Sequence, residues 1–207
     1  MYNIYVYAID TMADWEMGLL LAELNSRRFF RRDAPEIALH FAGASMEAVK
    51  TMGGLTMIPA CLIRDILMDE TSVLILPGAN TWQGSGHTAV LDCAAALLDA
   101  GGTVCAICGA TAALADRGLL DARPHTSNGA GFLESAAPNY RGTEFYVDCP
   151  SVADDGLITA AGTGSLLWTR QILARLGIFR PDTLKAWYAY FSTGAPDQFF
   201  AMMQSLQ

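Results

Sequence analysis

Thr103-Val104-Cys105-Ala106-Ile107-Cys108-Gly109-Ala110-Thr111-Ala112-Ala113-Leu114-Ala115 changes character at a single residue. Up to Ile107 the stretch is apolar and of strand type; from Gly109 onward it is a run of small helix formers. Cys108 stands at the junction. A helix that starts directly after a strand leaves unpaired N–H groups, and the positive end of the peptide dipole, beside that thiol. Such surroundings lower a thiol pKa from its usual value of about 8.5, so a thiolate is expected at 108. The same strand-to-helix turn presents the nucleophile in many α/β hydrolases, where small residues must follow it because backbone and helix approach closely. Gly109 and Ala110 meet that need. The competing reading is that a cysteine in an apolar segment only fills space.

The flanking segments alternate between strand and helix. Asn3 to Ala8 reads as a first strand, and a helix follows with Asp14 as its N-cap. In that helix Trp15, Leu19 and Ala22 give the apolar spacing, and Glu23 is expected on the wet side. Arg27 to Pro35 reads as a loop and Glu36 to Ala42 as a second strand. Val49 to Met52 and Leu55 to Ile58 flank Gly53-Gly54, a hairpin signal expected to extend a sheet edge. Leu62 to Leu67 suggests a short helix. Ser72 to Leu76 is a continuous apolar run, as in a parallel strand covered on both faces, and ends in Pro77-Gly78-Ala79-Asn80. Ala89 to Leu98 reads as a helix.

After the opening stretch, Arg117-Gly118 looks like a helix end, and Pro124 to Asn128 suggests a short strand. Phe145 to Asp148 and Leu157 to Ala160 are expected to pair across Asp154-Asp155-Gly156. Gly162 to Leu176 reads as a long helix. Pro181 to Leu206, aromatic and Met-rich with helical periodicity, reads as core or dimer contact. The pattern predicts an α/β fold: a doubly wound, mostly parallel sheet with helices on both faces and a ligand crevice at the strand carboxyl ends.

The chain has 207 residues, of which 52% are hydrophobic and 16% charged, which suits one domain over residues 1–207 with a large core. Thirteen basic and twenty-one acidic residues give a net charge of −8, so nucleic acid and anionic membrane surfaces are not expected partners. No secretion signal is evident at the N-terminus and no apolar run is long enough to span a bilayer. A cytoplasmic protein is expected. The five cysteines, at 61, 93, 105, 108 and 149, fit a reducing compartment rather than a disulfide framework. On one strand Cys105 and Cys108 would lie about 10 Å apart, beyond the ~7 Å limit for a bridge, so Cys105 reads as core. His40, His87 and His125 lack the close spacing of a zinc motif, and neither a metal nor another cofactor is expected.

Taken in order, several motifs resemble those of the ThiJ/PfpI family, whose flavodoxin-like domain is related to class I glutamine amidotransferases and implies that fold here. They are Asp14-Trp15-Glu16 after the first strand, Leu74 to Gly78, Ala106 to Thr111, and Leu119-Leu120 followed by Arg123 and Thr126. The resemblance covers most of the chain and implies a nucleophile at Cys108, with Glu16 in contact with it. A carboxylate near a thiolate repels it, so the two titrate as a pair that holds a proton at neutral pH. Oxyanion stabilisation is expected from the backbone N–H groups of Gly109 and of Gly78 or Ala79. Relatives usually carry a second glycine where this chain has Ala79, so a left-handed backbone there would be costly.

Many relatives also place a histidine beside the cysteine; here Asn128 takes that position, and asparagine is no general base. His125 is the candidate base nearby, although on a regular strand it would face away from residue 128. His87, in the Gln83-Gly84-Ser85-Gly86-His87 loop, and Trp82 are candidate pocket residues. Two functions remain open. One is a small-molecule hydrolase or lyase in which Cys108 attacks a carbonyl or amide substrate, with amidase, peptidase, glyoxalase-like or deglycase-like activity. The other is a non-enzymatic stress-response protein that senses oxidation at Cys108. The resemblance implies a homodimer.

Overall fold

A computed structural model describes residues 1–84 and 86–206 of the chain. Its elements follow the alternation. β1 (Tyr2–Ala8) leads into α1 (Asp14–Ser26) and β2 (Ile37–Gly43), and two short strands, β3 (Val49–Lys50) and β4 (Thr56–Met57), precede β5 (Cys61–Leu62). β6 (Ser72–Leu76), α2 (Thr88–Asp99), β7 (Thr103–Ile107) and α3 (Gly109–Asp116) carry the centre of the molecule. α4 (Phe132–Ala136), β8 (Ser151–Asp154), β9 (Leu157–Ala160), α5 (Ser165–Leu176), α6 (Pro181–Thr193) and α7 (Pro196–Ser205) complete it.

Seven strands form one sheet in the order β5-β2-β1-β6-β7-β9-β8, and only the β8–β9 pair is antiparallel. β6 and β7 are buried along their whole length, as their unbroken apolar sequence requires of strands covered on both faces. Succession reverses direction at β1: β2 is added on one side of it, and β6, β7 and β9 on the other. With right-handed crossovers that reversal puts α1 and α2 on opposite faces. α1 packs with α5, and α5 with α6, whereas α2 lies against β6 and β7. The switch point between β1 and β6 opens a crevice at their carboxyl ends, the place where open α/β sheets generally bind ligands.

Several local expectations are corrected. The Gly53-Gly54 hairpin forms, with Gly54 at φ +89, but as a separate two-stranded sheet rather than an extension of the edge. It is docked on the β1–α1 connection, where Asp14 Oδ2 accepts from Gly53 N–H at 2.5 Å and Met12 O accepts from Met52 N–H at 2.9 Å. Asp14 is therefore the first helical residue, after Ala13 at the N-cap position, and its carboxylate holds the hairpin instead of the helix. Leu62 belongs to a strand, and only Ile63–Asp65 turns, as one 3-10 turn. Pro124 to Asn128 is irregular, with a single bridge from His125 to Tyr146. The antiparallel partner of β9 is Ser151–Asp154, not Phe145 to Asp148.

The largest correction is the rotation of α1. Trp15 is 59% exposed, whereas Glu16, Met17, Leu20, Glu23 and Leu24 are buried. Glu23, expected in water, is fully covered: it accepts from the Trp187 indole N–H at 3.0 Å and pairs with Arg28 at 2.5 Å. Two acids on the buried stripe interrupt its apolar spacing, and the exposed indole supplied a false one. A buried carboxylate persists only with such partners.

Candidate functional site

Cys108 occupies the turn between β7 and α3 with φ 57 and ψ −125, one of three non-glycine residues with positive φ among those described. That conformation costs on the order of 1–3 kcal/mol and persists only where its surroundings enforce it. They do so on both sides: Cys108 N–H donates to Ala160 O at 2.9 Å, and Cys108 O accepts from Thr111 N–H at 3.0 Å and Thr111 Oγ1 at 2.6 Å. The result turns the thiol out of the sheet onto the floor of a cavity of about 780 Å³.

Glu16 reaches the same point from the opposite side of the switch point and is 1% exposed. Its Oε2 accepts from Gly78 N–H at 2.7 Å. Oε1 has no such partner and lies next to the sulfur. The convergence requires two glycines. A Cβ on Gly78 would sit 2.6 Å from Glu16 Oε2 and 2.8 Å from Cys108 Cβ. A Cβ on Gly162, at the end of β9, would sit 3.2 Å from Cys108 Sγ and 3.3 Å from Glu16 Oε1. Gly162 carried no signal in the sequence, since a lone glycine ahead of a helix reads as ordinary punctuation.

Asn128 completes the group. Its Nδ2 donates to Cys108 Sγ at 3.3 Å, and its Oδ1 accepts from Gly162 N–H at 2.9 Å. The segment before it is pinned: Thr126 N–H donates to Thr159 Oγ1, and the Ser127 hydroxyl meets Thr111 Oγ1 at 2.5 Å. His125 is not brought to the cysteine. It is fully buried; its Nδ1 meets Arg123 O at 2.8 Å and its Nε2 meets Tyr140 Oη at 2.7 Å. A carbonyl can only accept, so Nδ1 carries the proton and Nε2 accepts from the phenol, which leaves no free basic nitrogen. Burial also pushes the imidazole pKa down.

The other named residues divide. Trp82, Ala79 and Gly109 line the cavity with Cys108. Trp82 donates its indole N–H to Pro77 O at 2.7 Å. His87 borders the cavity but donates Nε2–H to Thr81 O at 2.8 Å and takes the Tyr7 hydroxyl on Nδ1 at 3.0 Å, so it too is committed. Ser85, from the same loop, lies outside the described residues. The Gly78 N–H, expected to face an oxyanion, is taken by Glu16, which leaves Gly109 and Ala79. Ala79 is extended, at φ −158, so its side chain costs the loop nothing.

The electrostatics reverse one expectation. Burial pushes the Cys108 thiol up, and Glu16 adds to that; Asn128 and the Gly109 N–H pull the other way without cancelling it. Burial likewise raises the Glu16 carboxyl against the pull of Gly78 N–H and Cys108. The pair therefore retains a proton, and the expected resting thiolate gives way to a thiol. Cys93, by contrast, is pushed up to about 11 by burial alone, and Cys105, fully buried in β7, far higher. Among the described residues no cluster of three or more His, Cys, Asp or Glu side chains could hold a metal ion, and no helix is long and apolar enough to cross a membrane.

A doubly wound sheet with a cysteine on a strained strand-to-helix elbow, faced by a buried carboxyl, defines a recognisable class of α/β protein. The chain belongs to the DJ-1/PfpI family, whose profile matches residues 2–175. It is 39% identical over 204 residues to the Bacillus subtilis protein named "Uncharacterized protease YoaZ", covering 99% of this chain and 97% of that one. Among solved structures it is similar to a ThiJ/PfpI family protein of Bacillus anthracis, with TM-score 0.95, 39% identity and coverage of 99% and 98% of the two chains. A DJ-1 superfamily protein of Agrobacterium tumefaciens superposes with TM-score 0.80 at 29% identity, covering 94% and 99%.

Proposed function

We propose that the protein is a cysteine-dependent hydrolase of small acyl compounds, with Cys108 as nucleophile and Glu16 as the group that takes and returns its proton. The observation that carries this reading is the convergence of Cys108, on its strained elbow, and a Glu16 oxygen without a hydrogen-bond partner on the same point beside Gly162, on the floor of a cavity of about 780 Å³. As sulfur attacks the carbonyl carbon, the thiol proton passes to the ionised Glu16 and the C=O π pair moves onto oxygen. That oxyanion faces the N–H groups of Gly109 and Ala79. Collapse breaks the bond to the leaving amine or alcohol, which takes the proton from Glu16, and water then cleaves the thioester. The name of the YoaZ relative agrees with acyl hydrolysis. No histidine is needed, because Asn128 acts as a donor to sulfur.

One observation favours a second reading. Asn128 and Glu16 both face the sulfur, and together, with Glu16 in its protonated form, they would hold the oxygens of a sulfinate. Two peroxide molecules would each deliver one oxygen to the thiol and leave as water. Steady-state turnover of simple amides, 4-nitrophenyl esters and methylglyoxal by wild type and Cys108→Ser separates the two. Turnover that Cys108→Ser abolishes supports the hydrolase; no turnover, with stoichiometric sulfinate at Cys108 under dilute peroxide, supports the sensor. A homodimer is the assembly expected from family membership, and light scattering tests it.

A further inference from the structure

The cavity above Cys108 is chemically one-sided. Its walls present the rings of Trp15, Trp82 and Phe132 and the thioether of Met52, and among the described residues its only acidic lining residues are Glu16 and Asp116. Among the described residues no lysine or arginine lines it. Sites built for carboxylates or phosphates have the opposite arrangement, with a guanidinium or ammonium facing the anion. The two acids also lie at opposite ends. Glu16 is beside the sulfur, whereas Asp116 is exposed at the last residue of α3. Residues 112 and 116 share one face of that helix, which begins directly after Cys108, and eight residues at a rise of about 1.5 Å each put Asp116 roughly 12 Å from the cysteine.

Ala112 and Ala113 line the path between the two. Asp116 Oδ1 accepts from Asn139 N–H at 3.0 Å, which fixes the carboxylate. The adjacent Arg117 is turned away to Asp92.

We propose that this cavity selects by charge, taking acyl compounds whose chain lies along α3 and ends in a cation at Asp116, and excluding those that end in an anion. This rests on Cys108 acting as the nucleophile. The test uses three 4-nitrophenyl esters of equal chain length: hexanoyl, 6-aminohexanoyl and adipoyl. The expected kcat/KM order is aminohexanoyl, hexanoyl, adipoyl, with about tenfold or more between the extremes at low ionic strength. Asp116→Asn narrows that ratio and Asp116→Lys inverts it. Equal rates for all three, abolished in Cys108→Ser, overturn charge selection and leave the nucleophile standing.

If none of the esters is cleaved through Cys108, the hydrolase reading fails, and modification of the thiol decides the cavity's polarity separately. Aminoethyl methanethiosulfonate should modify Cys108 about tenfold faster than the sulfonatoethyl reagent, relative to free cysteine. Equal relative rates overturn the charge preference.

Discussion

Asn128 donates to the sulfur of Cys108 at 3.3 Å while its other side-chain atom accepts from the Gly162 backbone. A side chain anchored in this way can stabilise negative charge on sulfur but cannot remove a proton. Asn128→Asp keeps the size and replaces a donor by a charge. It should raise the thiol pKa further and slow Cys108 alkylation by iodoacetamide at neutral pH about tenfold, the factor for one pKa unit. Mass spectrometry of the modified peptide as a function of pH measures it, and an unchanged rate would remove Asn128 from the site.

Glu16→Gln should separate chemistry from stability. A carboxyl whose folded pKa lies above its unfolded value favours the folded state while protonated, and that contribution is lost as pH rises through the folded pKa. Wild type should therefore lose stability relative to the glutamine variant from mildly acidic pH upward. The variant should melt about 2–4 °C higher at alkaline pH, the change roughly 1 kcal/mol produces in a chain of this size. Cys108 should alkylate faster without the neighbouring charge, while turnover falls by about 10²-fold or more. Melting curves across pH and parallel activity assays check all three.

His125→Phe tests the buried histidine. Losing its two hydrogen bonds should cost on the order of 1–3 kcal/mol of stability, yet leave Cys108 alkylation and turnover at 25 °C within about twofold of wild type, a difference too small to count as lost catalysis. A fall of more than 10²-fold in kcat with normal folding would return His125 to the chemistry.

Gly78→Ala puts a methyl group into the space where Glu16 and Cys108 meet. Either the acid or the elbow has to move. Overpacking of this kind costs about 1–3 kcal/mol, and turnover should drop by at least about 10²-fold because misplacement by an ångström is enough. Near-normal activity would show that the Glu16–Cys108 contact is dispensable.

Cysteine labelling in the native state follows from burial. Cys105 is inaccessible in β7 and Cys93 is pushed up to about 11, so both should stay unmodified while Cys108, partly exposed, reacts. Its rate should keep rising above the ordinary thiol range rather than level off below pH ~7. An early plateau would mean that the α3 N-terminus outweighs burial.

What could be read from the sequence was local or periodic. β6 and β7 declare themselves by apolar runs, and the elbow by the abrupt change at Cys108. The family motifs bring Glu16 and Asn128 into consideration. What stayed hidden depends on contacts between distant segments. Gly162 matters only because β9 ends against the sulfur. The Gly78 N–H is unavailable only because Glu16 reaches it. β5 is two residues long and is recognised by pairing with β2, not by composition. The face of α1 misled because two of its acids, Glu16 and Glu23, occupy core positions, where a periodicity reading expects apolar side chains.

Glu16 and Glu23 sit two turns apart on the buried stripe of α1, one against the sulfur and the other held by Trp187 of α6. α6 lies beyond the span matched by the family profile. A segment outside that span thus grips the same helix that carries Glu16 to the elbow. Under the proposed mechanism, alignment of Glu16 with the sulfur is in this way mortgaged to an indole far from the crevice, and loosening that remote grip would misalign the proposed proton carrier while the strands themselves stayed intact.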